Sequence, residues 1–208
     1  LPWIESRSKS KIHVTVMRTT GIMESVLYEK VQGILDDYPQ INVAFLPRFT
    51  GVDIRLTTSD KNTLNRLVDQ ISPVIQKYHF GGEGVELEDV VGRLLIKNRK
   101  TIATAESCTG GLIGDRLTNI SGSSLYYKGG IVAYSNSVKE KTIGVKKETL
   151  DSAGSVSEET ALEMARGIRN KLNADIGLST TGIAGPKGGT KEKPVGLVYI
   201  AISYDSGE

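Results

Sequence analysis

The chain is poor in the side chains on which zinc sites and many hydrolases depend. It contains one cysteine, Cys108, and two histidines, His13 and His79, among 208 residues. A single cysteine excludes an internal disulfide and is typical of a reducing compartment, so we expect a cytoplasmic protein. So few cysteines and histidines leave zinc without its usual ligands. Carboxylates could still hold magnesium, but metal-free chemistry is the simpler interpretation, and we expect neither a metal ion nor a cofactor.

Long hydrophobic runs and a surplus of charge of one sign are also missing. The longest apolar runs, such as residues 195–202, are far shorter than the roughly 20 residues that cross a bilayer. The formal net charge is only +2, which is too small for the positive field that nucleic acids require. We expect no membrane span and no nucleic-acid partner. The first residues, Leu1-Pro2-Trp3, include no initiator Met or signal region, so we expect the sequence to begin within a longer natural chain.

Residues 1–80 predict a small α+β domain with the order βαββα. Apolar residues alternate over 11–18, with Ile12, Val14 and Val16 expected to face the core, and two further strands are predicted at 41–46 and 52–57. Helical spacing predicts helices over 22–35 and after Asp60, which is a suitable N-cap. The glycine cluster at 81–84 predicts a domain boundary.

Residues 81–208 predict an α/β domain, because strand and helix patterns alternate along them. We expect a three-layer α/β/α sandwich whose functional residues follow the C-terminal ends of the strands. Strands are predicted at 101–105, 130–134, 176–181 and 197–203, a helix at 86–98, and a second helix behind a capping box at Ser155-x-x-Glu158.

The strongest local signal for chemistry is Thr104-Ala105-Glu106-Ser107-Cys108-Thr109-Gly110-Gly111, where a strand turns directly into a helix. The free N–H groups of a helix start can hold a phosphate or an oxyanion. An ordinary N-cap by Ser107 or Thr109 is about as consistent with this pattern.

A second glycine loop follows the strand at 176–181 and reads Thr181-Gly182-Ile183-Ala184-Gly185-Pro186. It fits no nucleotide-binding fingerprint and alone would be read as a turn.

Both histidines precede the predicted boundary, so the α/β domain cannot form a Ser-His-Asp triad. A desolvated lysine can lose its proton near neutral pH and activate a serine. Lys139 follows the predicted strand at 130–134, and Lys128 precedes it. If that strand is parallel to the strand before Ser107, then Lys139 reaches the edge of the sheet where Ser107 lies. An exposed lysine is the alternative interpretation.

Two further side chains have alternative interpretations. Tyr134 and Asn136 should reach the same edge as Lys139, although a tyrosine is more often a core aromatic residue. Cys108 is a rival nucleophile, but alternation along the strand predicts that it turns away from the side that Ser107 faces.

Six blocks in this order resemble the CinA family of competence/damage-inducible proteins, and in particular its C-terminal nicotinamide-nucleotide deamidase domain. They are Thr104–Gly111 as quoted above, Ile120-Ser121-Gly122-Ser123-Ser124, Tyr134-Ser135-Asn136, Gly154-x-Val156-Ser157, Thr181–Pro186 as quoted above, and Lys193-Pro194-Val195-Gly196. The resemblance covers about residues 85–203. Residues 1–80 resemble the KH-like middle domain of the family, which we expect to be a structural linker.

The resemblance implies hydrolysis of the carboxamide of nicotinamide mononucleotide to nicotinic acid mononucleotide and ammonia, in pyridine-nucleotide salvage. It matches Ser107, Tyr134 and Lys139 to catalytic positions and Thr181 to the substrate pocket. The other expected substrate-binding residues are Glu106, Thr109, Gly110, Gly111, Asn136, Gly182, Ala184 and Gly185. The family also implies a homodimer.

Family members continue beyond Glu208 with a further strand and a helix, and an arginine there is thought to help bind the nucleotide. The resemblance therefore implies a C-terminally truncated domain. A non-catalytic nucleotide-binding or oligomerisation fragment is the alternative function.

Overall fold

The computed structural model describes residues 11–205 and residue 207. The predictions for the start of the chain, Leu1-Pro2-Trp3 included, and for Ser206 and Glu208 lie outside these described residues. The chain divides into two compact units after Val90, slightly beyond the glycine cluster at 81–84. Of the described helices, none has the length and apolar character needed to span a membrane.

The first unit has the predicted βαββα order and one additional strand. Its strands are β1 (His13–Thr19), β2 (Asn42–Arg48), β3 (Gly51–Thr58) and β4 (His79–Gly81), and its helices are α1 (Glu24–Leu35) and α2 (Lys61–Ile75). The strands form an antiparallel sheet in the order β2-β3-β1-β4. This arrangement confirms the predicted KH-like α+β domain.

The core of this unit contains side chains from both helices and one face of the sheet, including Leu27, Ile54 and Ile71. The predicted inward face of β1 is wrong: Val14 is 49% exposed, whereas Met17 on the opposite face is 2% exposed. Apolar residues occupy both faces of β1, so alternation alone does not show which face the helices cover. Strand β2 continues through Pro47, because an edge strand does not need the N–H group that proline lacks.

The second unit is a mixed sheet between helices. Its strands are β5 (Ile102–Glu106), β6 (Tyr127–Val132), β7 (Ile176–Gly182) and β8 (Val198–Tyr204). Its helices are α3 (Leu87–Lys97), α4 (Leu112–Thr118), α5 (Lys147–Ser152) and α6 (Glu158–Lys171), of which α3 begins just before the division. A 3-10 turn lies at Ser123–Leu125. The sheet order is β6-β5-β7-β8, with β5 parallel to β6 and β7 and β8 antiparallel to β7.

Helices cover both faces of this sheet. On one face, Met164 and Ile168 of α6 pack against Ala103 and Ala105 of β5. On the other, Leu95 of α3 and Leu117 of α4 belong to a cluster that includes Ile102 and Tyr126. The arrangement confirms the predicted α/β/α sandwich. All five residues of β5 are buried, as expected for a central parallel strand.

Two local predictions differ from the structure. Strand β6 ends at Val132, so Tyr134 lies beyond the strand rather than at its end. Helix α6 is capped by Ser157 instead of Ser155, because the hydroxyl of Ser157 accepts the N–H of Thr160. Ser155 is thereby left in the loop before the helix.

The packing of α6 on the sheet predicts a large effect for Gly177→Ala. A Cβ atom at Gly177 of β7 would overlap the backbone carbonyl oxygen of Ala165. Backbone atoms on both sides must then shift, and we expect the free energy of unfolding in urea to fall by about 1–3 kcal/mol.

Gly33→Ala is the matched control. Gly33 lies in α1 with nothing within 4 Å of its added Cβ, so the change should raise stability by roughly 0.5–1 kcal/mol. Equal effects of the two substitutions would contradict the close approach of α6 to β7.

Candidate functional site

Ser107 lies where the second sheet ends. It follows β5 directly, and its backbone N–H donates to the carbonyl oxygen of Thr180 in β7 at 2.9 Å. On the other side, the N–H of Ala133 donates to the carbonyl oxygen of Glu106 at 2.7 Å. These bonds extend both parallel pairings by one step, so the ends of three strands fix the backbone around Ser107.

The structure brings Lys139 to Ser107. The Lys139 side chain is 1% exposed, and its Nζ lies 2.9 Å from Ser107 Oγ and 2.8 Å from the carbonyl oxygen of Ala133. This is the juxtaposition that parallel pairing of β5 and β6 predicts. Lys128 lies inside β6, near the start of the strand, whereas Ser107 and Lys139 lie beyond the strand ends.

A short helical segment orients Lys139. After β6 the chain forms a single helical turn, Asn136–Val138, and a π-helical turn, Lys139–Ile143. Ser135 caps this segment, since its hydroxyl accepts the N–H of Val138. Gly144 ends it in the left-handed conformation. The lysine is thus held by local backbone structure, with its stem directed inward.

Burial favours the neutral form of this lysine. Desolvation lowers the pKa of Lys139 below its ordinary value of 10.5, because the ammonium form loses its hydration. The nearby Cys108 acts in the opposite direction, with a smaller effect than burial. A neutral amine beside a serine hydroxyl can accept its proton, which is the requirement for an activated nucleophile.

Ser107 and Lys139 open into a cavity of about 290 Å³. The side chains around it are mostly small or polar, and the only ones with a basic or acidic group of Lys, Arg, His, Asp or Glu among the described lining residues are lysines. The other lining residues are Cys108, Tyr134, Ser155, Val156, Thr181, Gly182, Ile183, Ala184, Gly185, Lys187 and Gly188. The strand-to-helix elbow, the end of β7 and the glycine loop after it contribute most of these residues.

Several residues expected at the site do line this cavity, namely Tyr134, Thr181, Gly182, Ala184 and Gly185. Tyr134 is 77% exposed, so it belongs to the rim. Thr181 is fully buried, and its hydroxyl donates to the carbonyl oxygen of Ser155 at 2.6 Å.

Cys108 also lines the cavity, contrary to the expectation that it turns away. The chain leaves β5 after Glu106, so strand alternation no longer applies there. Asn136, Thr109, Gly110 and Gly111 are not among the lining residues.

Comparison with known proteins agrees with this architecture. The sequence profile of the CinA C-terminal domain matches residues 85–208, and that of the damage-inducible protein CinA KH domain matches residues 14–81. The chain belongs to the CinA family. It is 45% identical to a Halothermothrix orenii relative named as a competence-damage inducible protein, over 100% of this chain and 52% of the relative. The CinA-like protein of Chloroherpeton thalassium is also 45% identical, over 98% of this chain and 50% of the relative. The chain therefore spans about half the length of these relatives.

Solved structures of CinA proteins share the fold of more than half of this chain. The competence/damage inducible protein CihA from Agrobacterium tumefaciens matches with a TM-score of 0.55 and 45% identity, over 58% of this chain and 75% of that one. The competence damage-inducible protein A from Klebsiella pneumoniae matches with a TM-score of 0.55 and 36% identity, over 57% of this chain and 73% of that one.

Glu106 does not contribute to the cavity, although it was expected to bind substrate. Its side chain is buried, and its carboxylate accepts the N–H groups of Gly111 and Ile113, both at 3.0 Å, and of Gly114 at 2.8 Å. A carboxylate at this place compensates the positive end of α4. Glu106 therefore caps the helix, and its carboxylate oxygens accept backbone N–H groups inside the protein.

The same bonds correct the role expected of the glycines at the elbow. The N–H of Gly111 is taken by Glu106, and the N–H of Gly110 donates to the carbonyl oxygen of Ser107 at 3.2 Å. Neither is left for a phosphate or an oxyanion. The hydroxyl of Thr109 lies 2.7 Å from that of Thr180, which ties the elbow to β7. Asn136 is exposed in the turn before Lys139.

Sequence reasoning missed the wall formed by Ser155 and Val156. The Nζ atom of Lys193 donates to the carbonyl oxygens of Ala153 and Val156, at 2.6 and 2.7 Å, and Thr181 holds Ser155 from the other side. The signal was present in two of the CinA blocks, those around Gly154 and Lys193, but the misplaced helix cap concealed it.

The capping by Glu106 predicts that Glu106→Gln slows the chemistry of Ser107. An amide has one acceptor oxygen, so at least one of the three N–H groups loses its bond, and the turn that carries Ser107 loosens. We expect the rate at which a fluorophosphonate labels Ser107 to fall, together with a loss of unfolding free energy of about 1–3 kcal/mol.

Glu163→Gln provides the comparison. The Glu163 carboxylate accepts the N–H of Lys146 and the hydroxyl of Thr149, and it does not line the cavity around Ser107. This variant should lose stability without slower labelling. Unchanged labelling of Glu106→Gln would show that the cap does not hold the nucleophile in place.

Proposed function

We propose that the second unit is a nicotinamide-nucleotide amidase, which hydrolyses nicotinamide mononucleotide to nicotinic acid mononucleotide and ammonia by Ser-Lys chemistry. The observation that carries the proposal is the 2.9 Å approach of buried Lys139 Nζ to Ser107 Oγ at the wall of a cavity. Membership of the CinA family supplies the substrate class through the resemblance of the sequence blocks. The same proposal of amidase activity covers the longer proteins to which the chain is similar.

In the first step, neutral Lys139 takes the hydroxyl proton while Ser107 Oγ forms a bond to the carboxamide carbon. One N–H of the amine donates to the carbonyl oxygen of Ala133, which turns the nitrogen lone pair toward Ser107. The lysine is then an ammonium group beside a tetrahedral intermediate. It returns the proton to the amide nitrogen, the C–N bond breaks, and ammonia leaves.

In the second step, water replaces ammonia. Lys139, neutral again, takes a proton from the water as its oxygen attacks the acyl carbon, and the returning proton restores the Ser107 hydroxyl. The product is a carboxylic acid, which ionises at neutral pH. The same amine serves as base and acid in both halves, as histidine does in other serine hydrolases.

We assign the oxyanion to backbone N–H groups that the fold leaves unused. Within the described residues, the amides of Cys108, Ala184 and Gly185 have no acceptor, and all three residues line the cavity. The Ile183 amide is excluded, because it donates to Leu197. Fixed N–H donors aimed at a developing charge are a large source of catalysis in acyl transfer.

Tyr134 has a more distant part in this proposal. Its position on the exposed rim suits contact with the substrate, where the phenol can relay a proton through water. The proposal includes a cytoplasmic homodimer without a nucleic-acid partner, in line with the family resemblance and the nearly balanced charge.

Ammonia release from nicotinamide mononucleotide tests the function. We expect turnover by the wild-type chain, a loss of at least about 100-fold for Ser107→Ala, and near-normal turnover for Cys108→Ala. Loss confined to the cysteine variant would assign the reaction to the thiol. Calorimetric binding without ammonia release would favour a non-catalytic nucleotide-binding fragment.

The pH dependence tests the base. Only the neutral form of Lys139 accepts a proton, and burial lowers the pKa of Lys139. The value of kcat/KM should therefore be low in acid, rise as pH passes the lowered pKa, and level off below pH 10.5. In Lys139→Arg the guanidinium stays protonated, so activity should fall by about 10²–10⁴-fold at every pH. If the arginine variant is active and its kcat/KM still falls in acid at the same pH, the fall is caused by another group.

A further inference from the structure

The cavity around Ser107 has an unbalanced charge. Its described lining residues include two basic side chains, Lys139 and Lys187, and no carboxylate. Lys139 must be neutral to act as a base, and its nitrogen is already engaged with Ser107 and Ala133. Lys187 then supplies the positive charge that remains at the site.

Other places that could hold an anion near the cavity are occupied by the protein. The start of α4 is filled by the carboxylate of Glu106, which accepts three of its N–H groups. Lys193, on the same loop as Lys187, uses its ammonium group on the carbonyl oxygens of Ala153 and Val156. Lys187 has no ion-pair partner within the described part of the chain, and its side chain is exposed.

The loop that carries Lys187 is anchored at its base. The amide of Ile183 donates to Leu197, and that of Gly196 donates back to Ile183, at 2.9 and 2.8 Å. Lys193 fastens the far side of the loop to the wall formed by Ser155 and Val156. Lys187 is therefore presented at the cavity by a held loop rather than by a free one.

Glycines flank Lys187 on this loop. Gly185 and Gly188 both have positive φ and both line the cavity. An added Cβ at Gly188 would meet no atom closer than 3.9 Å, so the missing side chain leaves room for an anionic group beside the ammonium group. The missing side chain of Gly185 makes room for Val195 instead.

We propose that Lys187 is a specificity-determining residue that binds the phosphate monoester of the substrate at the glycine loop while the carboxamide lies against Ser107. This inference rests on the proposed function and adds the residue that distinguishes a phosphate-bearing carboxamide from a neutral amide. A phosphate monoester carries a charge of about −1.5 to −2 at pH 7, and lysine is an effective point charge for such a group.

The test compares two substrates that differ only in the phosphate, nicotinamide mononucleotide and nicotinamide riboside. For Lys187→Ala, we expect kcat/KM for the mononucleotide to fall about tenfold, mostly through KM, and more for Lys187→Glu. The value for the riboside should stay unchanged. Lys191→Ala removes an exposed lysine from the same loop that does not line the cavity, and it should affect neither substrate.

Equal losses on both substrates, or no loss on either, would overturn the inference while leaving the amidase proposal intact. Calorimetry with the product, nicotinic acid mononucleotide, gives a readout that needs no turnover. Tighter binding of the mononucleotide than of its nucleoside, with the difference lost in Lys187→Ala, supports the phosphate subsite even if no ammonia is released. Equal affinity of the wild-type chain for both ligands, or no affinity for either, refutes it.

Discussion

Burial of one amine against one hydroxyl is the constraint on which the site depends. A lysine removed from water loses hydration of its ammonium form, and no carboxylate among the described lining residues compensates it, so the neutral amine gains in population. The fold sustains this unfavourable arrangement by holding both partners through backbone bonds, Ser107 to Thr180 and Lys139 to Ser135. Instability of the charged lysine is here a property that the chemistry requires.

The carboxylate next to Ser107 shows how the fold protects that amine. Glu106 adjoins the nucleophile in sequence, and a free negative charge there would favour the ammonium form of a nearby lysine. Instead its oxygens accept three N–H groups at the start of α4, where the helix dipole also stabilises the negative charge. One residue thereby satisfies the helix, fixes the elbow and directs its charge away from the cavity.

The sequence predicted the features that follow from strand direction and failed where local geometry decides. Alternating strands and helices predict parallel pairing, and parallel pairing places Lys139 beside Ser107. The orientation of Glu106 was not predictable, because β5 is buried on both faces and its alternation has no solvent side. Cys108 was misplaced because the chain leaves the strand just before it. The choice between Ser155 and Ser157 as helix cap depended on a single hydrogen bond that no pattern reveals.

Lys139 and Lys187 have different roles in one cavity, and their burial differs accordingly. Lys139 is buried, which lowers its pKa, whereas Lys187 is exposed on the glycine loop. A phosphate bound beside Lys139 would stabilise the ammonium form and remove the base. A phosphate bound by Lys187 at the exposed loop is partly neutralised by that cation and screened by water and salt. Separating the anion from the base therefore lets a negatively charged substrate bind without suppressing the reaction that it undergoes.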